Sequence, residues 1–224
     1  NNIINFFQEM KTFKTSDCEI FLHNNDLPSD IDYEKVISVD TETTGLSLVR
    51  DNLCLIQIGI SSKRCHIVKF ERDFFEKKTP PKNLIKLMNN DKIEKIYHYA
   101  RFDVAMIKRF FGVYTKNIFC TKIASKLVRT YTDKHGLKDL CKDLLNVDLN
   151  KSQQTTDWFS KNLSESQLKY AANDVIHLFD LKNKLKKMLV REERLELADK
   201  IFSFIPSRVE LDLLDWHDID IFSH

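Results

Sequence analysis

The order in which two hydrophobic periodicities follow one another constrains this chain most. Before residue 71, four short runs are rich in β-branched and apolar residues and read as strands: residues 18–23, 35–40, 53–60 and 65–70. The polar stretch 61–64 between the last two makes them a hairpin. Pro80 and Pro81 open a helix through residue 88, because proline is tolerated in a first turn. A further strand is expected over 95–99, then a helix over 102–111 that Gly112 ends. From Thr121 onward the pattern turns almost wholly helical. Leu137, Leu140, Cys141, Leu144 and Leu145 recur on one helix face. Ser164 and Gln167 form a capping box, with Leu163 and Leu168 placed as a hydrophobic staple, so a long helix is expected from 164 to about 189. A last helix follows over 192–204. Strands first and helices after predict an α/β domain, its helical second half covering a sheet. No repeat or Gly/Ser linker divides the chain.

Composition narrows the partners. The 224 residues are 42% hydrophobic and 30% charged, which suits one globular α/β domain. A net charge of +2 is not the strongly basic balance of a protein that grips a long duplex through many phosphates. A small substrate, or one held through bound metal, fits better. The five cysteines are widely spaced and form no C-x-x-C pair, so reduced thiols in a cytoplasmic protein are expected rather than zinc or disulfides. No apolar run reaches the roughly 20 residues of a membrane span, so no membrane partner is expected. Residues 1–10 lack the basic and apolar regions of a signal peptide and read as a short amphipathic helix or a frayed extension.

Three motifs carry chemistry. In Val36-Ile37-Ser38-Val39-Asp40-Thr41-Glu42-Thr43-Thr44-Gly45-Leu46 an apolar strand ends in Asp-x-Glu. Residues i and i+2 of a strand share a face, so Asp40 and Glu42 point the same way. Adjacent carboxylates raise each other's pKa unless a cation sits between them. Taken alone, so short a pattern reads first as a strand ending in solvated acids. In Ile96-Tyr97-His98-Tyr99-Ala100-Arg101-Phe102-Asp103 a second strand runs out with an acid near a helix start, where the helix dipole alone would favour it. In Tyr170-Ala171-Ala172-Asn173-Asp174 the i, i+4 spacing stacks Tyr170 and Asp174 on one helix face. Together these place acids where an α/β sheet holds its active site, and such hard oxygen ligands suit Mg²⁺ or Mn²⁺.

The order strand–Asp-x-Glu, strand–Asp, helix Tyr-x3-Asp resembles the DEDD exonucleases, in the tyrosine-bearing (DEDDy) branch that includes ribonuclease D. Lys151-Ser152-Gln153-Gln154-Thr155-Thr156-Asp157-Trp158 resembles the ribonuclease D stretch before its third motif. The segment from Phe119 to Leu137, and the ending from Leu211 to Phe222, resemble the nanoRNase C group of dinucleotide-cleaving members. The likeness runs from Cys18 to the C-terminus, which divides the chain into an N-terminal extension, 1–17, and one exonuclease domain, 18–224. It implies a ribonuclease H-like fold: a mixed sheet with helices on both faces.

The resemblance implies two divalent cations, Mg²⁺ or Mn²⁺, held by Asp40, Glu42, Asp103 and Asp174, with Tyr170 orienting the attacking water. The implied reaction is 3′→5′ hydrolysis of short single-stranded RNA, dinucleotides above all, to nucleoside 5′-monophosphates. Leu46 would wedge against the terminal bases, and Thr41 backbone groups would meet the 3′-hydroxyl. Phe102 either stacks on a base or packs in the core. His98 lies beside the third acid and is expected near substrate rather than on metal. Arg129, Tyr131, Lys134 and His135 are candidates for a 5′-phosphate contact or form a solvated loop. A homo-octamer is implied, with the apolar tail 211–222 docking on its own domain or on a neighbour. Trimming of longer RNA, DNA proofreading and a non-catalytic nucleic-acid-binding module are the competing readings.

Overall fold

The computed structural model describes residues 11–77, 79–149 and 156–224. Residues 1–10 and most of the ribonuclease D-like stretch 151–158 lie outside them. Among the described residues, seven strands form one mixed sheet: β1 (Lys11–Lys14), β2 (Glu19–Asn24), β3 (Val36–Thr43), β4 (Leu53–Ser61), β5 (Arg64–Lys69), β6 (Glu94–Tyr97) and β7 (Ile118–Cys120). Their spatial order is β1-β2-β5-β4-β3-β6-β7. The hairpin β4–β5 is antiparallel, as its turn requires, and β3 pairs antiparallel with β4. β3, β6 and β7 run parallel, which sends their carboxyl ends to one edge of the molecule. β1 pairs antiparallel with β2, so residues expected in an N-terminal extension join the sheet edge.

Seven helices are described: α1 (Lys82–Met88), α2 (Ala100–Phe111), α3 (Thr121–Val128), α4 (Leu137–Leu140), α5 (Glu165–Ile176), α6 (Leu178–Arg191) and α7 (Leu195–Leu213). Strand alternation splits the core in two. Ile37, Val39, Ile56, Ile58 and Val68 face one layer with α2, α3, α6 and α7. Ile20, Leu55, Cys65 and Ile67 face the other, against Trp158 and the Leu168, Ala171, Ala172 and Val175 stripe of α5. All five cysteines are buried and unpaired.

Several expectations shift. The helix expected from 164 to about 189 divides at His177, because α5 lies on β3–β5 whereas α6 packs on α3 and β6. The face expected over 137–145 is one α-helical turn, α4, followed by a π-helical turn Cys141–Leu145 that ends at Asn146 in the left-handed region. The last helix passes Pro206 and reaches Leu213, because Phe202, Ile205, Val209 and Asp212 keep burying one face beyond the proline. Gly112 closes α2 with φ 72°, as its position implies.

Candidate active site

Asp40 and Glu42 leave β3 on one face, and α5 crosses that face. The capping box expected at Ser164 and Gln167 is formed and anchors the start of α5. The i, i+4 pair Tyr170 and Asp174 then lies over the strand. Oxygen atoms of Asp40, Glu42 and Asp174 come within 4.8 Å of one another. Asp103 arrives from the opposite layer, near the start of α2, and accepts a 2.6 Å hydrogen bond from the Thr41 hydroxyl. Thr41 sits between the two β3 acids and points to the other face, so its side chain joins the two halves of the site.

The electrostatics follow from this crowding. Burial pushes the Asp40 carboxyl well above its usual range, and the negative charges of Asp103, Asp174 and Glu42 push it further. Glu42 is raised to about 9, by burial first and then by Asp174 and Asp103. Asp103 is raised to about 7 by burial, with Asp174 adding to the effect and the Thr41 bond opposing it. The Tyr170 phenol is pushed up by burial, by Asp174, Glu42 and Asp40, and by its hydrogen bond with Asp174. The surroundings therefore favour the protonated phenol, whose ordinary value near 10 already keeps its proton at neutral pH. Acids held this close with mutual repulsion could hold a cation: among the described residues the grouped donors Asp40, Glu42 and Asp174 are all carboxylates, the oxygen ligands that suit a hard divalent ion.

Sequence reasoning missed Gln57. It stands opposite Asp40 on β4, fully buried, and its amide approaches an Asp40 oxygen at 3.4 Å. A single amide inside the otherwise apolar run Leu53-Cys54-Leu55-Ile56-Gln57-Ile58 was the available signal, since an interior strand rarely spends a position on a polar group without a partner.

The expected substrate residues separate by placement. Leu46 is 83% exposed, at the tip of a loop leaving β3. That loop is stiff: the Asp51 carboxylate accepts the Ser47 backbone N–H at 2.8 Å, and Arg109 donates to the Asp51 carbonyl at 2.5 Å. Phe102 is half-buried against the main core. His98 Nδ1 lies 2.9 Å from the Thr121 hydroxyl. Tyr131 and Lys134 are exposed, and His135 Nδ1 lies 2.8 Å from the Ser125 hydroxyl. Arg129 departs from expectation: its guanidinium is buried, donating to Ser125, to the Lys134 carbonyl and to Asp143. It braces the loop from inside, with its charge paired to Asp143.

Over residues 20–190 the sequence matches the family described as 3′-5′ exonuclease. The chain belongs to that exonuclease family. Among relatives of this exonuclease-family chain, the Bartonella henselae ribonuclease D is 31% identical over 202 residues, 88% of this chain and 46% of that protein. The chain spans about half or less of the length of the curated relatives it matches. Solved structures match over most of this chain. Brucella melitensis NrnC bound to pGG has a TM-score of 0.85 at 44% identity, covering 92% of this chain and 98% of that one. The same protein with bound Mg²⁺ has a TM-score of 0.85 at 43% identity with the same coverage.

Proposed function

We propose that this exonuclease-family chain is a metal-dependent 3′→5′ exoribonuclease that hydrolyses short RNA, dinucleotides above all, to nucleoside 5′-monophosphates. One observation carries the reading: carboxylate oxygens of Asp40, Glu42 and Asp174 within 4.8 Å of one another, on a sheet end that Asp103 reaches from the other side. Two divalent cations, Mg²⁺ or Mn²⁺, would be held by these four acids and would supply positive charge to the scissile phosphate and acidity to the attacking water.

The chain's own groups do the rest. Tyr170 keeps its proton and orients the water through its phenol, so it acts by position rather than as a base. Thr41 fixes the rotamer of Asp103. The water gives up a proton to solvent as its oxygen attacks phosphorus, the bond from phosphorus to the 3′-oxygen breaks, and that oxygen leaves as a hydroxyl by taking a proton from solvent. Leu46, exposed on a braced loop, packs against the terminal base. Phe102 and His98 line the approach from the start of α2, and Tyr131, Lys134 and His135 are the residues left to meet a 5′-phosphate. A short substrate is supported by similarity, over 92% of this chain, to an NrnC bound to pGG. Buried thiols suit a reducing cytoplasm. The exposed Leu214, Trp216, Ile219 and Phe222 support self-association, an octamer by resemblance.

A length series on 5′-phosphorylated RNA of two, five and ten nucleotides, with Mg²⁺ and Mn²⁺, tests the reading. Preference for the dinucleotide is expected, and equal rates at all lengths would refute the length claim. Asp40→Asn and Asp174→Asn should be inactive; an active variant would refute the site. Light scattering on the eluted protein reads its assembly, and a monomer at micromolar concentration would exclude the octamer.

A further inference from the structure

The first turn of α2 carries Asp103, yet it begins without a capping side chain. Its N-cap, Tyr99, takes a left-handed conformation with φ 75°, which a tyrosine adopts at a cost. Besides the Thr41 bond to Asp103, a second long-range tie reaches this turn. Arg101, two residues before Asp103, reaches across to α7, along which α2 packs. Its Nε and Nη2 donate to the two oxygens of Asp212 at 2.6 and 2.7 Å, a bidentate pair. Nη2 also donates to the His217 carbonyl at 2.8 Å. Asp212 is 2% exposed and is shared with Arg208, whose Nε and Nη2 donate to Oδ1 at 3.1 and 2.9 Å. Arg208 in turn donates to the Trp216 and Ile219 carbonyls. The C-terminal turn and the helix that carries an acid of the site are thus tied through one buried carboxylate.

We propose that Arg101, held by Asp212, is a positioning residue that sets the height and rotation of the first turn of α2 and thereby the placement of Asp103. The inference rests on the reading of Asp103 as a metal-holding acid. The two arginines differ in a way that makes the claim testable. Both bond the same carboxylate and the same tail. Arg101 alone springs from α2; Arg208 springs from α7 itself. Removing either leaves Asp212 one guanidinium, so neither variant strands a buried charge.

The experiment compares full-length Arg101→Met, Arg101→Lys, Arg208→Met and wild type, at a temperature where all are folded. It measures kcat and KM on 5′-phosphorylated diribonucleotide and, separately, Mn²⁺ affinity by calorimetry without substrate. Arg101→Met is expected to lower kcat about 10- to 100-fold with little change in KM, the scale of an ångström-sized misplacement. It should also weaken Mn²⁺ binding, and Arg101→Lys should recover part of both losses. Arg208→Met should lower thermal stability comparably while leaving kcat and Mn²⁺ affinity near wild type. Equal kinetic loss in both methionine variants, or none in Arg101→Met, would overturn the assignment and leave the cluster a structural clamp. If the wild type itself has no nuclease activity, the proposed function fails. Mn²⁺ affinity then still decides the positioning claim, which unchanged binding in Arg101→Met would overturn.

Discussion

At the scale of single residues, the roles proposed for Tyr170 and Leu46 are of opposite kinds. The Tyr170 phenol is surrounded by Asp174, Glu42 and Asp40, all of which disfavour its ionised form. Tyr170→Phe removes the hydroxyl proposed to orient water and leaves the ring against Trp158. A fall in kcat of about 10- to 100-fold with KM and melting temperature nearly unchanged is therefore expected, measured by steady-state kinetics on dinucleotide. Full activity in that variant would exclude the role. Leu46, at 83% exposure, has no core contact to lose. Leu46→Ala should raise KM with little change in kcat and leave thermal unfolding untouched, because only a substrate contact disappears. The acids and the tyrosine were readable because i, i+2 on a strand and i, i+4 on a helix fix which side chains share a face. Gln57 and Arg129 were not: an amide beside a carboxylate, and an arginine turned inward, depend on neighbours far away in sequence.

At the scale of elements, the loop from Gly45 to Asp51 decides how Leu46 is presented. A Cβ on Gly45 would stand 2.5 Å from an Asp51 carboxylate oxygen. That carboxylate cannot simply move aside, since it accepts from Ser47 N–H and pairs with Arg50, which together hold its pKa at about 2. Gly45→Ala is expected to destabilise the protein by about 1–3 kcal/mol, read by denaturant unfolding, as small-to-large changes at tight sites do. It should also raise KM, because the loop carries Leu46; a stability loss alone would show that the loop does not present a substrate contact. Other elements show where local pattern runs out. The strands 53–60 and 65–70 and the Ser164 capping box were legible because their signals are local. β1 and β7 are only four and three residues long, too short to carry a period. The division at His177 arises from what α5 and α6 pack against, and Pro206 is carried inside a helix because burial on both sides of it outweighs the lost backbone bond.

For the molecule as a whole, the acid cluster links metal, pH and stability. Glu42 is raised to about 9 and Asp103 to about 7, so the folded, metal-free protein keeps protons that the unfolded chain releases near its ordinary carboxylate values. The metal-free protein should accordingly lose stability as pH rises from the ordinary carboxylate range through about 7 and then about 9. Added Mg²⁺ or Mn²⁺ should oppose this, stabilising by about 2.7 kcal/mol at one hundred times its dissociation constant, and more strongly at pH 9 than at pH 6. Melting curves with a chelator and with metal check it, and a metal effect that ignores pH would mean these carboxylates are not the ligands. Sequence by itself determined the strand-then-helix order, the shared face of Asp40 and Glu42 and the stacking of Tyr170 on Asp174, since each follows from backbone period over a few residues. Only the tertiary structure decided that α5 crosses β3, that Asp103 enters from the opposite layer through Thr41, and that Arg101 ties α2 to a buried carboxylate on α7. Those placements depend on which faces the sheet and helices bury against one another, a choice made by packing between segments that are distant along the chain.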